Sequence, residues 1–154
     1  MWHQRHERKH RGNNSIPLFT DMPIIEALTI CVKDRATVFA DPALAEATIR
    51  IVSEIGITQH TPIHACCVMP DHVHVVVEPT SVELGQWVSR FKNEVQRDAR
   101  RLERPTKFWQ RSFWRRRVRS DRDLALKVAY ALDNPVRAGL VSDWREYPFS
   151  FPKD

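Results

Sequence analysis

The chain has 154 residues, 42% of them hydrophobic and 28% charged, which is typical of one globular domain with its own core. No apolar run is long enough to cross a membrane, and no apolar segment follows the basic residues near the start, so neither a membrane span nor a secretory signal is expected. Three cysteines without a Cys-x-x-Cys pair argue against a disulfide framework and against a thiolate zinc site. We therefore expect a cytoplasmic protein.

Positive charge is concentrated in one part of the chain. The net charge is +5, yet positions 90 to 122 alone carry thirteen Lys or Arg against four Asp or Glu. Such a concentration favours a polyanion, either nucleic acid or an acidic membrane surface. A solvated basic face without a partner remains the alternative.

The first third of the chain is predicted to contain a basic, flexible arm followed by the start of a single domain. The division is 1–20 for the arm and 21–154 for the domain. β-branched residues indicate a strand, and Asp41 before Pro42 is a typical helix start. The expected elements are a strand over 24–32, a hairpin return over 37–39, and a helix from Pro42 to about Glu54 that ends at Gly56.

The remainder alternates strands and helices. Thr80 and Glu83 are spaced as a capping box for a long helix, and Asn134-Pro135 is expected to interrupt the last helix. The expected elements are strands over 63–68, 72–77 and 113–118, and helices over 81–103 and from Ser120 to about Asp133. The order β, α, β, β, α, β, α predicts an α+β fold, an antiparallel sheet with helices over one face.

His72 and His74 form the first chemical signal. Side chains alternate along a strand, so these two imidazoles leave the same face while Val73 and Val75 point to the other. Two neighbouring imidazoles on an accessible face can bind one metal ion. A pair of surface histidines on a half-exposed sheet is the alternative interpretation.

Tyr130 and Asn134 form the second signal, because residues four apart share one helix face. A phenol has a pKa of about 10 and needs a metal ion or a base before it attacks. The carboxamide oxygen of Asn134 is a hard ligand suited to Mg²⁺ or Mn²⁺, and with both histidines it would complete three protein ligands. Alternatively, Tyr130 packs on the sheet and Asn134 caps the helix.

The third signal is the mixture of aromatic residues and arginines over positions 108–119. Arginine binds phosphates, and aromatic rings stack on unpaired bases. Lys92, at the start of the basic stretch, is expected to approach the histidine pair. Core aromatics with solvated arginines are the alternative. The residues assigned to DNA binding are Lys92, Arg111, Trp114, Arg115, Arg116, Arg117, Arg119 and Arg137.

Four stretches together resemble the HUH transposases with one catalytic tyrosine, specifically the REP-associated tyrosine transposases. They run in order over nearly all of 24–150, and the histidine strand with the Tyr-to-Asn-Pro-Val-Arg-Ala-Gly stretch is the most specific part. The stretches are 29–39 (a first hairpin), 68–77 (the metal-binding strand), 108–114 (after the long helix) and 130–141 with Tyr147-Pro148 (the tyrosine helix and tail).

The resemblance implies roles for individual residues. His72, His74 and Asn134 would bind a divalent metal ion, Mg²⁺ or Mn²⁺, and Tyr130 would be the nucleophile. It also implies the ferredoxin-like sheet of HUH nucleases, cleavage and rejoining of single-stranded DNA, and hairpins of short palindromic repeats as substrate. Either a monomer or a homodimer is compatible with it.

Two further functions remain open at this stage. A related domain that binds nucleic-acid hairpins without cutting them would need none of the tyrosine chemistry. A metal-dependent hydrolase would use His72 and His74 to activate water and release both strands free. A phosphodiesterase with two His-x-Ser/Thr motifs is disfavoured, because Val75 and Val76 follow the histidines and no second such motif exists.

Overall fold

The computed structural model describes residues 23–80 and 82–154. The predicted arm over 1–20 lies outside the described residues, and the single-domain division stays a prediction. In chain order the elements are β1 (Glu26–Cys31), α1 (Pro42–Thr58), β2 (Ile63–Met69), β3 (His72–Val77), α2 (Leu84–Arg101), β4 (Trp114–Arg117), α3 (Asp121–Arg137) and β5 (Ser150–Phe151).

The strands form one sheet in the order β4-β1-β3-β2-β5, and every neighbouring pair is antiparallel. This confirms the predicted α+β class with its ferredoxin-like sheet. The expectation that the helices lie over one face is wrong, because the sheet buries apolar side chains on both faces and the helices divide between them. α1 and α2 pack on the face of Leu28 and Val75, whereas α3 packs against Ala65 and Val76 on the other.

The main core lies between the sheet and the first two helices. Val73 and Val75 are fully buried there and pack with Trp87 and Phe91 of α2. Because side chains alternate along β3, burying these valines directs both histidines toward α3. The apolar pattern of β3 therefore selects the face of the sheet on which the candidate site lies.

Two predicted boundaries between β1 and β2 are wrong. No hairpin return forms at 37–39: Val38–Ala40 is a short 3-10 helix, since Phe39 is buried against Phe108. α1 continues through Gly56 to Thr58. A Cβ at Gly56 would lie 2.8 Å from Ile63 Cγ1, so the glycine allows β2 to approach the helix rather than ending it.

The predicted capping box before α2 does not form. Glu83 is the N-cap residue and makes no side-chain capping hydrogen bond, while the Thr80 hydroxyl donates to the His60 carbonyl. Tertiary contact thus replaces the local pattern that the sequence suggested. The short strand β5, which pairs with β2, was not predicted.

α3 is not interrupted at Asn134-Pro135 but continues to Arg137. Pro135 has no N–H for the carbonyl of Ala131, the fourth residue before it. The side-chain amide of Asn134 donates instead, at 3.1 Å to the Tyr130 carbonyl and at 3.4 Å to the Ala131 carbonyl. Pro135 itself is buried, so packing also stabilises the last turn.

Candidate active site

His72 and His74 bring two ring nitrogens to one point. Their Nε2 atoms are 3.0 Å apart, and the rings meet edge to face with centroids 4.6 Å apart. His74 is only 8% exposed, and His72 is partly buried. The strand alternation predicted from the sequence is therefore present, and it creates a convergent pair rather than two separate surface histidines.

The other nitrogen of each imidazole is engaged by a neighbouring side chain. Asp71 Oδ1 lies 2.6 Å from His72 Nδ1, and Thr29 Oγ1 lies 3.2 Å from His74 Nδ1. Arg35 Nε donates to the second oxygen of Asp71 at 3.0 Å. A proton on each Nδ1 leaves each Nε2 with a lone pair, the tautomer that a metal ligand requires.

Burial keeps both imidazoles neutral. It lowers the pKa of His72, although the Asp71 carboxylate acts in the opposite direction. Burial, together with the charges of His72, Arg137 and Arg35, lowers the pKa of His74 well below its usual value. Both rings are therefore uncharged at neutral pH, because desolvation penalises the imidazolium form.

α3 places Tyr130 and Asn134 beside this pair. The Tyr130 ring meets the His74 ring edge to face, with centroids 5.8 Å apart. The side chain of Asn134 is hydrogen-bonded to His74, which opposes the lowering of the pKa of that histidine. The structure thus brings together within one chain the four residues that the sequence selected for catalysis and metal binding.

Arg137 covers the tyrosine. Its guanidinium carbon lies 4.0 Å from the centroid of the Tyr130 ring, and Nη2 donates to the Tyr130 carbonyl at 2.7 Å. Nη1 pairs with Asp133 at 3.1 Å. A positive charge therefore stands next to the phenol, where it can contact an anionic phosphate as well as the ring.

The residues assigned to DNA binding separate onto two sides of the sheet. β4 pairs with β1 so that Trp114 lies opposite Thr29 and Arg116 opposite Ala27, on the histidine side. Arg115 and Arg117 leave the other side, where Arg117 Nε lies 3.6 Å from a buried Glu26 carboxylate. Arg111 and Arg119 are exposed, at either end of this segment.

The expectation that Lys92 approaches the histidine pair is wrong. Lys92 lies on α2, the helix that covers the opposite face of the sheet, and its Nζ donates to the Gln110 carbonyl at 2.7 Å. With Arg90, Arg97 and Arg111 it borders a separate groove. The amphipathic pattern of α2 did not reveal which side of the sheet the helix covers.

Sequence reasoning missed the residues that orient the imidazoles. Asp71 directly precedes His72, and nothing in the local sequence distinguishes it from an ordinary turn residue. Thr29 reaches His74 through the register of β1 with β3, which the sequence does not reveal. Arg35 reaches Asp71 from a left-handed stretch of backbone, in which Asp34 and Arg35 both have φ above 50°. Within residues 23–80 and 82–154, no three His, Cys, Asp or Glu side chains form a metal-binding group.

A membrane-spanning helix is absent from the described part of the chain. All three helices are instead amphipathic elements, each packed on the sheet through a limited set of buried residues.

Comparison with known proteins identifies the family. A curated protein of Haemophilus influenzae, described as a REP-associated tyrosine transposase, is 27% identical over 106 residues, and the match covers 60% of each chain. The chain thus spans about 60% of the length of this relative.

Two solved structures share the fold. A REP-associated tyrosine transposase bound to a REP hairpin superposes with a TM-score of 0.67, at 18% identity and over 90% of both chains. A structure described as a transposase from Deinococcus radiodurans has a TM-score of 0.54, at 21% identity, over 79% of this chain and 95% of that one. These likenesses confirm the predicted fold.

The family model described as "Transposase IS200 like" matches residues 25–122, more than half of the chain. The matched segment contains His72 and His74 and ends before Tyr130. The resemblance stated from the sequence is confirmed at the level of the family. The chain belongs to the IS200-like transposase family.

Proposed function

We propose that this protein cleaves and rejoins single-stranded DNA at hairpins of palindromic repeats, by metal-assisted transesterification through Tyr130. The observation that carries the proposal is the approach of the Tyr130 ring to the convergent histidine pair, with ring centroids 5.8 Å apart. Membership in a transposase family supports a DNA-processing enzyme. The hairpin substrate is suggested by the solved relative that is bound to a REP hairpin.

The residues around the histidine pair suit a divalent cation. Two ligand atoms that each lie about 2.1 Å from an octahedral ion, at right angles to each other, are about 3.0 Å apart. The Nε2 atoms of His72 and His74 have this separation. The amide nitrogen of Asn134 donates to two helix carbonyls, so its oxygen is the atom that remains for His74 and, with an ion bound, for the third ligand position. The hard oxygen of Asn134, with phosphate and water oxygens at the open positions, suits Mn²⁺ or Mg²⁺.

The bound ion would polarise the scissile phosphate and offset charge in the transition state. The Tyr130 oxygen attacks phosphorus and loses its proton to water as the O–P bond forms. The bond from phosphorus to the 3′ oxygen breaks, and that oxygen takes up a proton as a free 3′-OH. The product is a 5′-phosphotyrosine, which a 3′-OH can later attack to rejoin strands without ATP.

The surrounding residues favour a single strand. The histidine pair lies between the sheet and α3, partly buried, so a phosphate within a regular duplex is a poor fit there. Arg137 is positioned beside Tyr130 to contact a phosphate. The arginines assigned to DNA binding on β4, with Arg111 and Arg119, would bind the flanking backbone, and their contribution should weaken as salt rises. Because the Tyr130 ring meets the His74 ring of its own chain, we infer that one protomer supplies all the proposed catalytic and metal-binding residues.

The test uses a pool of DNA hairpins with randomised single-stranded flanks, incubated with the protein and Mn²⁺. We expect a protein–DNA adduct that survives denaturation, and sequencing of the adduct identifies the cleaved flank. Tyr130→Phe and His72→Ala should abolish it. Tyr147→Phe is the matched control, since Tyr147 is the only other tyrosine and its hydroxyl donates to the Val68 carbonyl in the core.

The product ends decide between this chemistry and its alternatives. Cleavage that continues in Tyr130→Phe and leaves both ends free would indicate a hydrolase and refute the tyrosine route. Hairpin binding without any adduct, unchanged in Tyr130→Phe and in His72→Ala across the whole pool, would instead indicate a binding-only protein.

A further inference from the structure

Arg137 makes three contacts within α3 that together hold its guanidinium over Tyr130. The guanidinium carbon lies 4.0 Å from the centroid of the Tyr130 ring. Nη2 donates to the Tyr130 carbonyl at 2.7 Å, and Nη1 pairs with Asp133 at 3.1 Å. Positions 130, 133 and 137 are three and four residues apart, so all three side chains share one face of the helix.

These contacts reach both the backbone and the ring of the same tyrosine. The hydrogen bond to the Tyr130 carbonyl fixes the guanidinium relative to the helix, and the ring contact then fixes the phenol relative to the guanidinium. A tyrosine side chain has only two rotatable torsions, so one flat and anchored partner can restrict both. Because the same ring meets the His74 ring edge to face, Arg137 orients the phenol at the point where it approaches the histidine pair.

Arg137 gives up side-chain freedom to make this arrangement. Its side chain is 35% exposed, and an arginine at the surface otherwise samples many rotamers. An isolated surface ion pair holds such a side chain only weakly. Here the pair with Asp133 is joined by two contacts to a single neighbouring residue, which indicates a defined position for the guanidinium rather than an ordinary pair on a helix surface.

The Tyr130 carbonyl also connects the proposed nucleophile to a proposed metal ligand. It accepts from Arg137 Nη2 at 2.7 Å and from Asn134 Nδ2 at 3.1 Å. The side chain of Asn134 is in turn hydrogen-bonded to His74. The phenol ring, the carboxamide and the imidazole therefore belong to one network, which is assembled without DNA.

The geometry distinguishes this role from phosphate binding alone. A phosphate ligand needs a positive charge, which a lysine supplies equally well as a point charge. Lying flat on the ring while donating to a carbonyl and a carboxylate requires the planar fork of an arginine. Both terminal nitrogens of Arg137 already donate within the helix, so its position over Tyr130 does not depend on a bound phosphate.

We propose that Arg137, anchored by Asp133, is a positioning residue that orients the Tyr130 ring toward His74 and the metal site before DNA binds. Orientation set in advance lowers the barrier, because the entropy of aligning the nucleophile is not lost during the reaction. The inference rests on the proposed function, since it concerns the residue that attacks phosphorus.

The first test follows the tyrosine ring itself, in EDTA and without DNA. The chain has two tyrosines, Tyr130 and Tyr147, so protein labelled with 3-fluorotyrosine gives fluorine NMR signals that Tyr130→Phe assigns. In Arg137→Lys, the Tyr130 signal should narrow and move toward its position in the unfolded chain, while the Tyr147 signal stays unchanged. A Tyr130 signal that keeps its wild-type width and shift in Arg137→Lys would overturn the proposal.

The second test separates orientation from DNA binding. With the randomised hairpin pool in excess and Mn²⁺ present, Arg137→Lys should form the Tyr130 adduct about 10- to 100-fold more slowly than wild type, as expected for slightly misplaced reacting groups. Its affinity for the pool in EDTA should stay within about twofold of wild type, since lysine keeps the charge. Asp133→Asn should slow the adduct less, because Arg137 keeps its contacts with the ring and the carbonyl.

Arg145 supplies the matched control, because it repeats the arrangement on the short 3-10 helix Trp144–Glu146. Its guanidinium carbon lies 4.8 Å from the centroid of the Trp144 ring, and its Nη1 lies 3.6 Å from Asp143. Arg145→Lys and Asp143→Asn should leave the Tyr130 fluorine signal and the rate of adduct formation at their wild-type values. Equal slowing in Arg145→Lys would overturn the proposal.

The outcomes separate the positioning role from the chemistry. If the fluorine signal changes but Arg137→Lys forms the adduct at the wild-type rate, the positioning role is refuted and the proposed function stands. If Arg137→Lys loses hairpin affinity in EDTA as strongly as it loses rate, Arg137 is a phosphate ligand and the proposal is overturned. If wild type forms no adduct with any hairpin, the proposed function fails, and the positioning role fails with it even where the fluorine signal changes.

Discussion

The carboxylate of Asp71 lies 2.6 Å from Nδ1 of His72, and its other oxygen accepts from Arg35 at 3.0 Å. Asp71 therefore fixes both the ring orientation and the tautomer of His72, and Arg35 in turn fixes Asp71. Carboxylates in this position strengthen metal–histidine bonds because they raise the basicity of the ligand. The residue belongs to the site although it contributes no ligand atom to the proposed cation.

Asp71→Asn should weaken Mn²⁺ binding about 10- to 100-fold, because the charge behind His72 is lost. Electron paramagnetic resonance of free Mn²⁺ measures the affinity directly, without DNA. Asp98→Asn is the control, since Asp98 is likewise a carboxylate that accepts from arginine side chains, here Arg50 and Arg101, but lies on α2. Equal affinities for wild type and Asp71→Asn, with binding abolished in His72→Ala, would show that Asp71 does not support the ligand.

Two helical glycines should respond in opposite directions to the same substitution. Gly56→Ala places a Cβ 2.8 Å from Ile63 Cγ1 and 3.1 Å from the Thr61 carbonyl, so we expect about 1–3 kcal/mol of destabilisation from overpacking. Gly85→Ala meets nothing within 4 Å in α2 and should gain about 0.5–1 kcal/mol from helix propensity. Urea denaturation of both variants measures the difference, and a stabilised Gly56→Ala would contradict the close approach.

The same position shows why some boundaries escaped sequence reasoning. Gly56 was read as a helix end from its local propensity, but its role depends on Ile63, which the sequence places in a different element. The alternation of His72, Val73 and His74 was predictable because a strand period of two needs no tertiary knowledge. The hairpin return predicted over 37–39 is wrong for the opposite reason, because the burial of Phe39 against Phe108 outweighs the β propensity of its neighbours.

The residues of the candidate site also differ in whether the sequence alone could reveal them. Tyr130 and Asn134 could be selected because four residues along a helix define one face, whatever the rest of the fold does. Thr29 and Arg35 could not, because each reaches the site through strand register or a left-handed turn that the sequence does not specify. Lys92 was misplaced, since its helix could have packed on either face of the sheet.

Buried neutral histidines should make the fold sensitive to mild acid. Burial lowers the pKa of His74 well below its usual value, so below about pH 6.5 the unfolded chain binds a proton that the folded chain does not. The contribution of His74 to folding stability is complete above that pH and is lost as the pH falls. Between pH 7 and pH 5, wild type should lose about 1–2 kcal/mol more than His74→Gln.

Urea denaturation in EDTA at several pH values measures this loss. His64→Gln is the control, since His64 lies on the neighbouring strand β2 and its Nε2 contacts Glu78 at 3.1 Å instead of the candidate site. Parallel stability curves for wild type and His74→Gln over this range would contradict a buried neutral imidazole at position 74.

Asn134 should stabilise α3 as well as contribute to the site, and a double-mutant cycle can separate the two roles. Its amide nitrogen donates to the carbonyls of Tyr130 and Ala131, the latter deprived of its usual donor by Pro135. In the native background, Asn134→Ala should cost about 1–2 kcal/mol of unfolding free energy. In a Pro135→Ala background the cost should shrink by about 0.5–1.5 kcal/mol, because the new N–H at position 135 can donate to Ala131.

Additive stability changes would show that Asn134 does not substitute for the missing donor. The metal affinity supplies the independent measurement, since restoring the helix hydrogen bond at position 135 cannot restore an oxygen ligand. We therefore expect Asn134→Ala to bind Mn²⁺ equally weakly with proline or alanine at position 135, even though its stability differs between the two backgrounds. Recovery of Mn²⁺ affinity in the double variant would mean that Asn134 acts on the site only by holding α3 in place.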